Sequence, residues 1–327
     1  MTRQYVNTLT DGVAVSDVYL LADKQMRANR NADLYLLAQL RDKTGLISGL
    51  MWNVAEEAVS DLEPGHYVRV KGKVQLFQGN LQIILTNISR VADDSVDAEE
   101  FIPQPATDSK KNLARLSELI GTITEPSIKA LMLDFLADQA IVDAFMKAPA
   151  GVKTHHSYQG GLLDHVVNLT ETAVRIRDLY PKVNFDLVIA GILLHDIGKI
   201  RELEYETIFG YTDEGQLLGH LQIGCDILQE KLLAYNQRNP LPFPQEYALR
   251  LKHMILSHHG SYEFGSPKLP MTLEAIVLNL LDNLDAKVNE FLQMMDSDPN
   301  RQSSWTPYNS RIDRKLYKGI ENRGDSN

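Results

Sequence analysis

The 327-residue chain has a single cysteine, Cys225, which excludes an intrachain disulfide and a thiolate zinc cluster. It has no apolar run of the roughly 18 residues that a membrane-spanning helix needs. The longest, around Leu187–Leu194, stops at His195-Asp196. The opening Met1-Thr2-Arg3-Gln4-Tyr5 has no apolar signal region, so the cytoplasm is the expected compartment and no membrane partner is expected. Positive charge is not in excess either. A net charge of -10 argues against a protein that coats nucleic acid indiscriminately, because counterion release needs clustered Lys and Arg. An enzyme with one local basic strip, and with acids that hold a cation, is still allowed. Internal repeats and low-complexity tracts are missing as well. The rest is ordinary for a globular chain, at 44% hydrophobic and 23% charged residues, and it is long enough for two domains, each with its own core.

Residues 1–95 read as β structure. Leu34–Leu40, the turn Asp42-Lys43-Thr44-Gly45 and Leu46–Trp52 form a hairpin signal. Pro64-Gly65 opens a strand over Tyr67–Phe77, and Gln78-Gly79-Asn80 turns into Leu81–Leu85. Several short strands with turn chemistry between them predict a small closed barrel. The strand from Tyr67 alternates cleanly: Val68, Val70, Gly72, Val74 and Leu76 share one face, and Arg69, Lys71, Lys73, Gln75 and Phe77 share the other. The second face is either a solvated surface or a binding row for single-stranded nucleic acid. In the binding reading, Arg69, Lys71 and Lys73 meet phosphates and Phe77 stacks on a base.

Residues 96–112 are polar and carry Pro103 and Pro105, which reads as a linker. Over residues 113–300 the pattern turns helical. Leu162, His165, Val166, Leu169 and Ala173 fall on one helical face, which aims His165 inward. Residues 301–327 are polar and weakly patterned, a C-terminal tail expected to be loosely ordered.

Within the helical half, His and Asp repeatedly interrupt apolar stretches: His165, His195-Asp196, His220, His258-His259 and Asp282. Burying such groups is expensive unless something neutralises them, and a divalent metal does so directly. Adjacent residues on a helix point about 100° apart. His195 and Asp196 can therefore share an ion only at a helix end, or with Asp196 bridging two ions. His165, His195, Asp196 and Asp282 make a mixed nitrogen and oxygen set that suits Mn, Fe, Co, Ni or Zn. The remaining imidazoles are enough for a second ion, and a two-ion pair can clamp a phosphate and activate water. Lys199, four residues after His195, is placed to meet a phosphate oxygen, although a surface or helix-terminal lysine would look the same. Asp285 reads as support for the ligands rather than as a ligand. His155 and His156 precede the first ligand in a loop, where they either cap a helix or give a proton to a leaving oxygen.

His165, His195-Asp196 and Asp282 match the H…HD…D signature of the all-helical HD-domain metal phosphohydrolases, and His220 with His258-His259 resembles their two-metal branch. The strings Lys147-Ala148-Pro149-Ala150, Gly160–His165, His195–Lys199, Leu256–Gly260 and Asp282–Lys287 are more specific still. With an oligonucleotide-binding (OB-fold) barrel in front, the chain resembles the YhaM-type 3′–5′ exoribonucleases over about residues 1–300. The resemblance implies an OB-fold domain followed by an HD domain. It implies metal-dependent removal of nucleoside 5′-monophosphates from the 3′ end of single-stranded RNA, with single-stranded DNA the alternative strand and Mn²⁺ the usual activator. It assigns His165, His195, Asp196 and Asp282 to one ion. Asp196 bridges to a second, held by His220 and one or both of His258 and His259, and Lys199 holds the scissile phosphate. It also makes a homo-oligomer an expectation.

Hydrolysis of a small nucleotide or cyclic dinucleotide is the alternative. Against the cyclic-dinucleotide enzymes, Gly265-Ser266-Pro267 replaces their Gly-Tyr-Pro string, and Gly161 stands where some of them place a metal-binding Glu. A non-enzymatic, metal-stabilised RNA-binding protein would not need the complete ligand set.

Overall fold

The computed structural model describes residues 3–29, 33–77, 79–101, 108–151, 158–205, 210–296, 298, 300 and 303–319. The chain divides into two compact units, residues 1–104 with 291–327 and residues 105–290.

In the first unit, β1 (Ala14–Ala28), β2 (Leu34–Asp42), β3 (Gly45–Trp52), β4 (Tyr67–Phe77) and β5 (Asn80–Arg90) close a barrel in the order β1-β2-β3-β5-β4. All neighbours are antiparallel except β3 and β5, which pair in parallel. Alternation explains the closure. Leu36, Ala38 and Leu40 of β2, Val68, Val70 and Val74 of β4, and Ile83 and Leu85 of β5 turn into one core with Tyr19 and Leu21. Arg69, Lys71 and Lys73 take the outer positions of β4 and are exposed. Leu76 departs from the expected inner position and is 48% exposed, and Phe77 beside it is 52% exposed, at the open end of the β4–β5 hairpin. The long β1 gave no clean sequence signal because its alternation breaks. Tyr19, Leu20 and Leu21 are all buried, and the register with β2 shifts between Leu21 and Asp23, a bulge that re-aims the strand.

Residues 303–319 belong to the barrel unit and are folded rather than loose. Thr306 N–H donates to Leu316 O, Leu316 N–H to Thr306 Oγ1 and Lys318 N–H to Ser304 O, and Thr306 and Leu316 are buried. The weak apolar pattern hid this because backbone pairing, not a hydrophobic stripe, holds the segment.

The second unit is helical: α1 (Ser109–Gly121), α2 (Pro126–Leu136), α3 (Gln139–Lys147), α4 (Gly161–Ile176), α5 (Phe185–Leu194), the short α6 (Lys199–Glu202), α7 (Asp213–Arg238), α8 (Gln245–Ser257) and α9 (Leu273–Asp296), whose residues from 291 on count with the first unit. Side-chain oxygens of Asp108, Asp138, Asn184 and Thr212 cap α1, α3, α5 and α7, satisfying donors that a helix start leaves open. The apolar run from Leu187 to Leu194 is buried on all sides because α5 is the central helix of the unit's core. Among the described residues no helix is long and apolar enough to cross a membrane.

Candidate metal centre and nucleic-acid interface

His195 sits at the C-terminal cap of α5, and Asp196 opens the turn that leads into α6. The helix end lets the two side chains converge, with His195 Nε2 3.4 Å from Asp196 Oδ2. The other oxygen, Oδ1, lies 3.5 Å from both His220 Nε2 and His258 Nε2. From α4, His165 Nε2 comes to 3.3 Å from His195 Nε2 and 3.3 Å from Asp282 Oδ1 of α9. His259 Nε2 is 3.2 Å from His220 Nε2. All seven residues expected to ligate therefore meet in one place. They fall into three overlapping groups: His165 with His195 and Asp282, His195 with Asp196 and His258, and His220 with His258 and His259.

What surrounds the imidazoles orients them. His195 Nδ1 faces Ile192 O at 2.8 Å, His258 Nδ1 faces Ile255 O at 2.8 Å and His259 Nδ1 faces Phe264 O at 2.9 Å. His165 Nδ1 faces Asp285 Oδ2 at 2.7 Å, and His220 Nδ1 faces Glu202 Oε1 at 3.0 Å. An acceptor at Nδ1 puts the neutral ring's proton there and leaves the Nε2 lone pair aimed at the centre. Five lone pairs thus point inward around two carboxylates, and Asp196 Oδ1 is buried with no hydrogen-bond partner. Nitrogen lone pairs 3.2–3.3 Å apart repel unless a cation lies between them, so the donor set fits divalent metal.

The electrostatics agree for both carboxylates and for two of the imidazoles. Burial pushes Asp196 and Asp282 up, but Lys199 and His195 at Asp196, and His165 and His195 at Asp282, outweigh it and hold both carboxyls below the usual carboxylate range. Burial lowers His258 and His259, which favours the neutral ring that a ligand must present. His165 goes the other way: burial lowers it, but the carboxylates of Asp282 and Asp285 prevail and bring it up to about 9.

Two glycines make the approach possible. A Cβ at Gly198 would sit 2.1 Å from His220 O, so only glycine lets the turn after Asp196 lie against α7. Gly219, at φ 73°, kinks α7 immediately before His220. The kink frees the His220 N–H, and Glu202 Oε1 accepts it at 3.0 Å as well as facing Nδ1. Glu202 was not legible in the sequence, because no helical spacing links it to a histidine eighteen positions on.

Lys199 is close to the centre but engaged. Its ammonium donates to Asp196 Oδ2 and to Ala150 O, each at 2.6 Å, which leaves one of three N–H groups for another acceptor. Asp285 contacts His165 on the side away from the centre. His155 and His156 lie outside the described residues.

On the barrel, the basic row of β4 stands where the sequence placed it, but the rings nearest a stacking platform are elsewhere. Tyr35 of β2 and Trp52 of β3 are register partners with ring centroids 5.0 Å apart, and Arg27 of β1 pairs with Tyr35. All three take the outer face, since their neighbours Met26, Leu36 and Met51 pack against the core. Each ring sits at a strand end, outside any long alternating run, so periodicity in the sequence does not single them out.

A closed five-stranded barrel on one unit and a His/Asp centre at the end of a buried helix on the other define an HD-domain phosphohydrolase joined to an OB-fold. Family models agree with both halves: the HD domain matches residues 162–287, and an OB-fold nucleic acid binding domain matches residues 21–91. The chain is 35% identical over 282 residues to the 3′-5′ exoribonuclease YhaM of Bacillus subtilis (strain 168), covering 86% of each chain. It is 35% identical over 275 residues to that of Geobacillus sp. (strain WCH70), covering 84% of this chain and 82% of the relative. Against the Bacillus licheniformis relative it is 33% identical over 310 residues, covering 93% and 95%. The chain belongs to the YhaM family of 3′-5′ exoribonucleases.

Proposed function

We propose that this chain shortens single-stranded RNA from the 3′ end by hydrolysis, releasing nucleoside 5′-monophosphates. The observation that carries the reading is the gathering of five imidazole Nε2 atoms around the two oxygens of Asp196 and the carboxylate of Asp282. His165, His195, Asp196 and Asp282 would hold one divalent ion. Asp196, His220, His258 and His259 would hold a second, with Mn²⁺ the proposed activator and Co, Fe, Ni or Zn the alternatives. Ions bound there supply Lewis acidity to a phosphate and lower the pKa of water.

The remaining steps belong to side chains. Asp196 turns its two oxygens to different imidazole groups, which fixes both sub-sites on one carboxylate. Asp285 and Glu202 hold the rings of His165 and His220 so that their Nε2 lone pairs stay aimed at the centre. Lys199 donates its remaining N–H to a non-bridging phosphate oxygen and offsets charge that builds up as the bond breaks. His156 is the proposed donor of a proton to the leaving oxygen. On the barrel, Arg69, Lys71 and Lys73 would track the phosphates and Phe77 would stack, with Tyr35 and Trp52 as further stacking rings.

The cytoplasm is the proposed setting, and single-stranded DNA the second strand to assay. Self-association remains part of the proposal. Ile276, Leu280, Leu284 and Val288 stand exposed on α9 at four-residue spacing, the kind of apolar ridge with which helices pair. Sedimentation of the purified chain checks it.

The activity is tested with 5′-end-labelled single-stranded RNA and Mn²⁺. A ladder shortening from the 3′ end with mononucleotide product is expected. Faster hydrolysis of a mononucleotide or cyclic dinucleotide than of any oligomer would replace this reading with the small-nucleotide one.

A further inference from the structure

Residues 303–319 carry Arg311, Arg314, Lys315 and Lys318 against the one carboxylate of Asp313, in a chain whose net charge is -10. They also carry three aromatic residues, Trp305, Tyr308 and Tyr317. The segment doubles back on itself. Trp305 bridges to Tyr317 and Asn309 to Arg314, so the indole and phenol rings are held with centroids 4.9 Å apart. Lys318 Nζ locks the base of the loop through the carboxylate of Asp298 and the carbonyl of Asn300. Only Thr306 and Leu316 turn inward, while Trp305 is 51% and Tyr317 49% exposed.

The segment is seated on the barrel. A Cβ at Gly79, the tip of the β4–β5 hairpin, would lie 2.8 Å from Pro307 Cγ, so the clip packs directly against the hairpin that presents Phe77. Backbone bridges hold half-exposed rings in place, so a ligand that stacks on them need not pay to order them. Exposed Arg314 and Lys315 lie between the residues that bear those rings. Cations interleaved with held aromatic rings match an alternation of phosphates and bases. An anionic lipid surface would use the charge but has no planar group for the rings.

We infer that the 303–319 clip is a second contact surface for single-stranded RNA, continuous with the β4–β5 hairpin end of the barrel. The inference rests on the proposed RNA substrate, and its test separates the two. Affinity for a 20-nucleotide single-stranded RNA is measured by fluorescence anisotropy over a range of salt. In parallel, hydrolysis of a dinucleotide, which has no further strand to offer the clip, reports on catalysis alone.

Trp305→Ala should weaken binding of the 20-mer about tenfold, the effect of losing one stacked base. Inorganic polyphosphate, which has charge and no bases, should bind this variant as it binds the parent. Arg314→Ala with Lys315→Ala changes only exposed side chains and keeps the bridges. It should lower the salt slope by about 1.4. Dinucleotide hydrolysis should be unchanged in both variants. An unchanged affinity for the 20-mer in either variant overturns the inference. So does a loss of polyphosphate binding equal to the loss of RNA binding in Trp305→Ala, or a loss of binding confined to anionic phospholipid vesicles. If the parent protein fails to hydrolyse the dinucleotide, the proposed reaction is at fault, and the binding data still decide the fate of the clip.

Discussion

On the barrel, charged and aromatic side chains project outward from strands whose opposite face is apolar. In the helical unit, imidazoles and carboxylates turn inward at the ends of buried helices. Arg69, Lys71 and Lys73 stand on β4 with the core valines behind them, so each can change without disturbing a partner. His195 is fully buried, and each of its ring nitrogens faces another protein group. Surface groups of the first kind contribute additively and modestly, while buried groups of the second kind depend on one another. The difference predicts separable phenotypes: barrel variants lose strand binding, and centre variants lose chemistry and metal together.

The largest effect should come from Asp196→Asn, which halves the charge-bearing oxygens shared by the two proposed sub-sites. RNA hydrolysis should fall about 10³-fold, the scale of several kcal/mol of transition-state stabilisation. Single-turnover assays on labelled RNA check this, and a rate within tenfold of the parent breaks the contrast between the two units. Glu202→Gln should come next. The amide still accepts from the His220 backbone but no longer supplies a carboxylate to Nδ1, so one ion should bind about 10–100-fold more weakly while the other is retained. Chelator competition reads this directly, and equal loss of both ions would refute the division of labour.

Gly198→Ala should destabilise the helical unit by about 1–3 kcal/mol, because the new methyl would meet His220 O. Urea unfolding measures it, and an unaltered midpoint would mean that the turn and α7 can separate at no cost. The smallest effect should be that of Arg69→Ala with Lys71→Ala. The salt slope of oligonucleotide binding should fall by about 1.4 while a dinucleotide is still hydrolysed. An unchanged slope removes β4 from the RNA path.

Legibility followed the same contrast. Period-two alternation made the bounds of β4 readable to the residue and its two faces readable as far as Val74, and the inward face of α4 placed His165, because both patterns are local. The bulged β1 is hard to read because its alternation breaks where four consecutive residues, Val18 to Leu21, are buried. Seven expected ligands come together as the motif strings implied, yet the groups that aim them split. Asp285, three residues after Asp282, could be named from the sequence. Glu202 could not, since its contact with His220 depends on a left-handed glycine and on a turn closed by tertiary packing. Lys199 was placed near phosphate chemistry by spacing, but its pairing with Asp196 and Ala150 is visible only in three dimensions. The C-terminal clip looks like a loose tail in the sequence because main-chain pairing leaves no trace in hydrophobic periodicity.

The two oxygens of Asp196 are proposed to serve two metal sites at once. Metal content per chain, measured on the Mn²⁺-loaded parent and on Asp196→Asn after identical dialysis, tests it most directly. About two ions per chain in the parent, and loss of both in the variant, are expected for a bridging carboxylate. One ion per parent chain, or an unchanged count in Asp196→Asn, would contradict it.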